Sequence, residues 1–349
     1  MHGYWEWRRR TWIAVIDFQH RQGSHCESTA AASLLAHHGW PLSEAMCFGL
    51  ASGLSFSYLP FVKIYGMPLV AYRALPGRII ARLRRRLKLP LRMQQFTDST
   101  AGQVRLDALL AQGQPVGLQA CIYWLPYIPE NLRFHFNAHN LIIYGQQGDS
   151  YAVSDSVLEG THRIARDDLQ RARFVRGKLA PKGRLFYFSQ DVAAQDIRGQ
   201  IGPAIKQVAR EMLQPALPWI GVKGIRFLGK QLGQLDAGLP TRETTRLLLH
   251  IVRMQEVIGT GGAGFRFLYA AFLQESAQLL QSEPLAHKAI ALTEIGDAWR
   301  QFAVELARMA KGREPLSPRL LQATAEALAA RETEFFRSLS ALRTQLPGG

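Results

Sequence analysis

Cysteine is scarce in this chain: Cys26, Cys47 and Cys121 are the three among 349 residues. Thiols so few and so scattered exclude a disulfide framework, and they lack the paired spacing of a zinc site. Long uncharged apolar runs are missing too, and nothing approaches the roughly 20 residues that span a bilayer. Behind the charged segment Met1–Arg10, the short run Trp12-Ile13-Ala14-Val15-Ile16 is cut by Asp17, so no signal peptide is expected. These absences together predict a soluble cytoplasmic protein, whose thiols stay reduced. Acidic residues are few: 27 against 42 Lys and Arg, a net charge of +15 with an isoelectric point near 10.1. What is present is a globular composition, 47% hydrophobic and 10% aromatic, which excludes a disordered chain. The length gives room for two ordinary domains.

The patterning changes near residue 190, so the expected domains are 1–190 and 191–349. Residues 115–123, 140–144, 151–154 and 185–188 read as short strands, the middle two forming a hairpin around the turn residues Gly145 to Ser150. A helix is expected after Cys26, a loop-rich stretch from Gly53 to Gly66, and a second helix from Val104 to Gln112. An N-terminal helix packed on a later antiparallel sheet is an α+β arrangement. Beyond Asp191 the apolar spacing becomes three and four residues, giving helices at 201–213, 242–258, 265–280, 290–310 and 320–342. This half reads as all-α, with neither an internal repeat nor a long low-complexity segment.

One tetrapeptide carries chemistry. Ser24-His25-Cys26-Glu27 precedes an apolar run, and Ser followed three residues later by Glu is the capping-box pattern. It places Cys26 in the first turn of a helix, where free N–H groups and the macrodipole favour a thiolate. A thiolate nucleophile needs a base, and the base needs an orienting group. A hairpin centred on Gln147 sets Tyr144 opposite Ser150, Ile142 opposite Ala152 and His139 opposite Asp155. Facing side chains lie close enough for an imidazole–carboxylate hydrogen bond, although a slip of one residue would separate them onto opposite faces. Asp155 would then fix the tautomer of His139 and leave its other nitrogen for the thiol. The Cys26 N–H would donate to a developing oxyanion, with Gln19 or Gln22 as the side-chain donor. The rival base is His135, in the loop before His139. A buried structural Cys26 and two unrelated polar residues at strand ends remain the plain alternatives.

Other features rank below these. His37 and His38 sit where imidazoles cap a helix end. His25 is expected to point away from the thiol, His162 has no metal-like spacing, and Cys47 and Cys121 read as packing residues. Gly259-Thr-Gly-Gly-Ala-Gly264 spells the dinucleotide fingerprint, but helical periodicity precedes it where a strand is required, so a helix–helix connection is expected. The densest basic cluster, Arg78 to Arg92, interleaves apolar residues with Arg78, Arg82, Arg84, Arg85 and Lys88. It is either a solvated face or a dock for nucleic acid, acidic headgroups or an acidic protein.

The block from Ser24 through Thr29, His38-Gly39, Leu42–Met46 with Phe48–Leu54, Phe56, Tyr58, the segment around His139, and Asp155 resemble the butirosin biosynthesis protein H family over residues 15–190. The stretch Gly261–Tyr269 is similar to the helical C-terminal domain that accompanies it there. The resemblance implies a papain-like cysteine fold and transfer of an acyl group from an acyl carrier protein to an amine. It implies Cys26 as nucleophile, His139 as base and Asp155 as orienting acid. The partners implied are an acidic acyl carrier protein, which brings its own phosphopantetheine arm, and a small amine acceptor. Arg78, Arg82, Arg84, Arg85 and Lys88 become the candidate carrier dock. No resident cofactor, metal or nucleic acid is expected, and a homodimer is allowed. Water in place of the amine would make the same triad a thioesterase or a peptidase. The remaining alternative is a non-catalytic protein binding polyanions through its charge.

Overall fold

The computed structural model describes residues 14–64 and 66–342. The Met1–Arg10 segment and Trp12-Ile13 lie outside the described residues. The strands are β1 (Ala14–Val15), β2 (Leu54–Ile64), β3 (Met67–Arg73), β4 (Leu91–Gln94), β5 (Val116–Ala120), β6 (His139–Gln147), β7 (Ser150–Ser154), β8 (Thr161–Ala165) and β9 (Leu185–Phe188). The helices in the first half are α1 (Cys26–His37), α2 (Glu44–Leu50), α3 (Arg78–Arg86), α4 (Ser99–Ala111) and α5 (Arg166–Phe174). Those in the second are α6 (Arg198–Leu213), α7 (Gly221–Leu232), α8 (Arg242–Glu256), α9 (Arg266–Leu280), α10 (Glu283–Ala310) and α11 (Pro318–Leu342). An antiparallel sheet domain followed by a helical region is the observed fold class.

The chain forms two compact units, and their boundaries differ from a single break near 190. The first comprises residues 1–43 and 88–194, the second 44–87 and 195–349. Residues 44–87 join the helical half because α2 packs on α6 and α9, β2 on α7, and β3 on α8.

In the first unit a seven-stranded antiparallel sheet runs β4-β9-β5-β6-β7-β8, with β1 beside the far end of β6. The central strand β5 is buried along its whole length. Gly117 within it is required by packing, since a Cβ there would fall 2.1 Å from the ring of Phe186 on β9. Helix α1 packs on β6 and β5. Its residues 26–35 are all buried, the polar Glu27, Ser28, Thr29 and Ser33 among them. Leu34 and Leu35, with no exposed surface, each stabilise that contact by about 1.5–3 kcal/mol.

The hairpin from β6 to β7 turns through Gly148 and Asp149, Gly148 taking φ 54°. Its register differs from the expected one. Gln147 faces Ser150 and Gly145 faces Ala152, but Ile143 faces Val153 and Ile142 faces Ser154, so Tyr144 is bulged out. That bulge matters below.

In the second unit, the stretch expected to be loop-rich is the hairpin β2–β3, paired from Leu54↔Arg73 to Ile64↔Met67 with two irregularities. Leu54, Phe56, Val70 and Tyr72 face inward. Phe56 and Tyr72 meet Trp299 of α10 at ring-centroid distances of 5.9 and 5.6 Å. The expected helices are present, though α10 begins at Glu283 rather than 290, and α7 is additional. The glycine run at 259–264 joins α8 to α9, so no strand precedes it and no dinucleotide fingerprint exists. Gly264, at φ 54°, lies against the Tyr72 ring, which a Cβ would approach to 2.2 Å. Next to it, Arg266 and Glu332 form a fully buried ion pair at 2.8 Å, which Trp299 joins by donating to the same carboxylate.

Candidate functional site

Cys26 is the first residue of α1, but the cap is not Ser24. His25 holds the extended N-cap position, and its Nδ1 accepts from the Ser28 backbone N–H. An imidazole does here what the Ser of a capping box does elsewhere. Cys26 thus lies one position closer to the helix start than the capping box placed it, in the turn whose N–H groups the helix itself does not pair. Glu27 and Ser28 behind it are buried, and Cys26 itself is 9% exposed.

His139 opens β6, opposite Ala120 of β5. Asp155 follows the last residue of β7. Continuing the register beyond the bulge sets Asp155 opposite Leu141, the diagonal neighbour of His139 on the same face of the sheet. Without the Tyr144 bulge the turn-proximal register would set Asp155 opposite Ile142, out of phase with His139. The structure therefore brings the pair together through a register two residues from the expected one, with parity kept by the bulge.

The contacts are direct. His139 Nε2 donates to Asp155 Oδ2 at 2.7 Å, and the same imidazole is hydrogen-bonded to Cys26, which leaves Nδ1 for the sulfur. Burial by itself disfavours a charged imidazole. The Asp155 charge and hydrogen bond, and then Cys26, more than offset it and push the His139 pKa up to about 10. Burial likewise disfavours a charged Asp155, yet His139, the Val157 N–H and the Tyr127 hydroxyl hold its carboxyl below the usual value. The pair is an imidazolium–carboxylate, and the sulfur stands beside an imidazolium, which favours a thiolate. The other two thiols differ. Burial pushes Cys47 far up and also raises Cys121, so neither has a nucleophile's surroundings.

Two neighbours escaped the sequence reading. Tyr127, in the loop between β5 and β6, donates to Asp155 Oδ2 at 2.9 Å. Asn140 turns its Nδ2 to the Cys26 sulfur at 3.8 Å. The sequence offered a weak pointer to Asn140, its adjacency to His139, and none to Tyr127. Gln19 and Gln22 are exposed on the segment leading to Cys26, and the side-chain amide nearest the sulfur in a hydrogen bond is that of Asn140. The leading segment is itself anchored beside Asp155: Gly23 N–H donates to Ser156 O at 3.1 Å, and His20 bridges Ser154 Oγ and Leu158 O. The rival base His135 stacks on the exposed Tyr123 at 4.0 Å. His38 lies 3.8 Å from Asp191.

The basic cluster divides. Ile79, Ile80 and Leu83 of α3 are buried, while Arg78, Arg84, Arg85 and Lys88 are exposed. Arg82 does not belong with them. Its guanidinium grips Glu211 at 2.7 and 3.3 Å and donates to Ser52 O at 2.8 Å, so its charge is spent inside the unit. Among the described residues no group of three or more His, Cys, Asp or Glu side chains is placed to hold a metal ion. Among them, too, no helix is long and apolar enough to cross a membrane.

A sulfur at a helix start, an imidazole on an adjoining antiparallel strand and a carboxylate behind it are arranged as a papain-like cysteine enzyme would need them. Residues 25–156 match the family model described as butirosin biosynthesis protein H, N-terminal. Residues 167–339 match a domain of unknown function, DUF4872. No curated protein matches the chain. Among solved structures, one described as a C39-like peptidase from Bacillus anthracis is similar at 14% identity and a TM-score of 0.36. That similarity covers 51% of this chain and 99% of the other, and it is too slight to bear on activity.

Proposed function

We propose that the chain is an acyl-carrier-protein-dependent N-acyltransferase. The observation that carries this reading is the Cys26–His139–Asp155 constellation inside the segment that matches the butirosin biosynthesis protein H family model. In the first step the Cys26 thiolate attacks the carbonyl of a phosphopantetheine thioester. The tetrahedral intermediate collapses, the carbon–sulfur bond to the carrier breaks, and the leaving thiolate takes the proton of the His139 imidazolium. In the second, an amine attacks the acyl-enzyme, the carbon–nitrogen bond forms, and the bond to Cys26 breaks. His139 takes the amine's proton, which restores the thiolate–imidazolium pair. The first exchange is nearly isoenergetic and the second runs from thioester to amide, downhill, so no ATP or nucleotide is consumed.

The net charge supports an acidic partner by steering, and the exposed face of α3, carrying Arg78, Arg84 and Arg85, is the dock we assign to the carrier. The test is intact-protein mass spectrometry after mixing with a panel of acyl-loaded carrier proteins. An acyl increment that maps to Cys26, is absent from C26A, and disappears on adding an amine with formation of the amide supports the reading. An acyl-enzyme that discharges only to water makes the protein a hydrolase. A wild-type chain that gains no increment from any carrier overturns the proposal.

A further inference from the structure

We propose that Tyr127 is a positioning residue of the catalytic group, fixing the carboxylate that orients His139. The proposal rests on the cysteine-enzyme reading but not on the identity of the acyl donor. Asp155 has no exposed surface and carries three hydrogen bonds. Its Oδ2 accepts from both His139 Nε2 at 2.7 Å and the Tyr127 hydroxyl at 2.9 Å, and its Oδ1 accepts from the Val157 N–H at 3.2 Å. Two donors on one oxygen, arriving from different elements, leave that oxygen little freedom to turn away from the imidazole. The phenol ring is fixed in turn. It stacks on His162 of β8, centroids 5.3 Å apart and planes 10° from parallel, and β8 is paired with β7, the strand that ends at Ser154. Tyr127 therefore ties the loop that leads to His139 to the strand pair that presents Asp155.

A carboxylate out of water needs its lone pairs occupied to remain charged. Other titratable groups surround the pair. Cys26 and Cys121 act on His139, from α1 and from the end of β5. His20 bonds to Ser154 and Leu158 on either side of Asp155, and His162 lies behind the phenol. None of these donates to the carboxylate, so the hydroxyl and His139 are the side chains that hold its charge. The sign follows. Asp155 is ionised above its depressed pKa, and loss of the Tyr127 donor raises that pKa. The pH at which the imidazolium loses its counter-ion, and the thiolate with it, then moves up.

The experiment is the pH profile of Cys26 alkylation by iodoacetamide in the full-length protein, a probe that needs no substrate. Y127F is expected to move the acid limb upward by about 0.5–1 pH unit while far-UV dichroism stays unchanged. In a D155N background Y127F is expected to add nothing, because the hydroxyl acts through the carboxylate. Should Y127F fail to fold, H162L, which loosens the ring and leaves the hydroxyl, must shift the same limb in the same direction by less. An acid limb unmoved in folded Y127F, or an equal Y127F effect with and without Asp155, overturns the assignment. Either result leaves the acyl-transfer reading standing, since acyl capture on Cys26 is measured separately.

Discussion

A buried imidazole held protonated to about pH 10 is a group tied to Asp155 on one side and to Cys26 on the other. Its raised pKa stabilises the folded chain fully below the ordinary imidazole value of about 6.5, and that contribution is lost as pH rises through about 10. Asp155 works in the other direction. Its depressed pKa contributes above the ordinary carboxylate value and is lost as pH falls through the folded one. Replacing Asp155 by Asn removes the counter-ion, and burial then dominates, driving His139 below the ordinary value. We expect D155N to lower the alkylation rate of Cys26 at pH 7 by about 10²–10⁴-fold. The gain in stability that wild type shows between pH 10 and pH 6.5 should vanish with it. Stopped alkylation assays and thermal melts across pH check both, and a D155N rate within a factor of two of wild type would contradict the ion pair.

At the scale of elements, the bulge in β6 decides whether the site exists. Deleting Tyr144 should remove the extra residue and join the Gly145↔Ala152 and Ile143↔Val153 pairs directly, leaving Asp155 opposite Leu141 and in phase with His139. The expected result is a chain that keeps its far-UV spectrum and alkylates Cys26 at close to the wild-type rate. A deletion variant that alkylates only at the rate of a His139→Ala control would contradict this register. Such a feature is invisible in the sequence, because Tyr144-Gly145 reads as well for a plain strand as for a bulged one. Other parts were readable for definite reasons. The helices of the second half show in their three- and four-residue spacing, Cys26 shows as a helix-start residue ahead of the apolar run Thr29–Leu35, and His139 shows through its hairpin relation to Asp155. The hairpin β2–β3 was hidden by Pro60 and Pro68, residues that ordinarily argue against a strand, and its alternation of Leu54, Phe56 and Tyr58 was the signal to weigh against them. Helix α7 was hidden by its glycines at 221, 224 and 229. Ser24 suggested the wrong cap because Ser is the commoner capping residue, whereas His25 had the better geometry.

For the whole molecule the dominant quantity is the charge of +15. Half of the question is which of those charges are free. Arg82 and Arg266 are neutralised inside the fold by Glu211 and Glu332, while Arg84 and Arg85 stand exposed on α3. Reversing these two to Glu should raise the KM for an acyl carrier protein about 10- to 100-fold at low salt and leave that for a small acyl thioester within about twofold. The difference should shrink as ionic strength rises. Equal effects on the two donors would remove α3 as the dock.

The second unit is assembled from two separated lengths of chain, 44–87 and 195–349. No single scissor cut can therefore free the sheet-bearing unit as a module. A fragment ending at residue 190 would keep the hairpin of Phe56 and Tyr72 but discard Trp299, leaving aromatic faces bare and prone to aggregate. Anyone wishing to graft the sheet-bearing unit would have to excise 44–87, rejoin Ser43 to Lys88, and only then remove the tail.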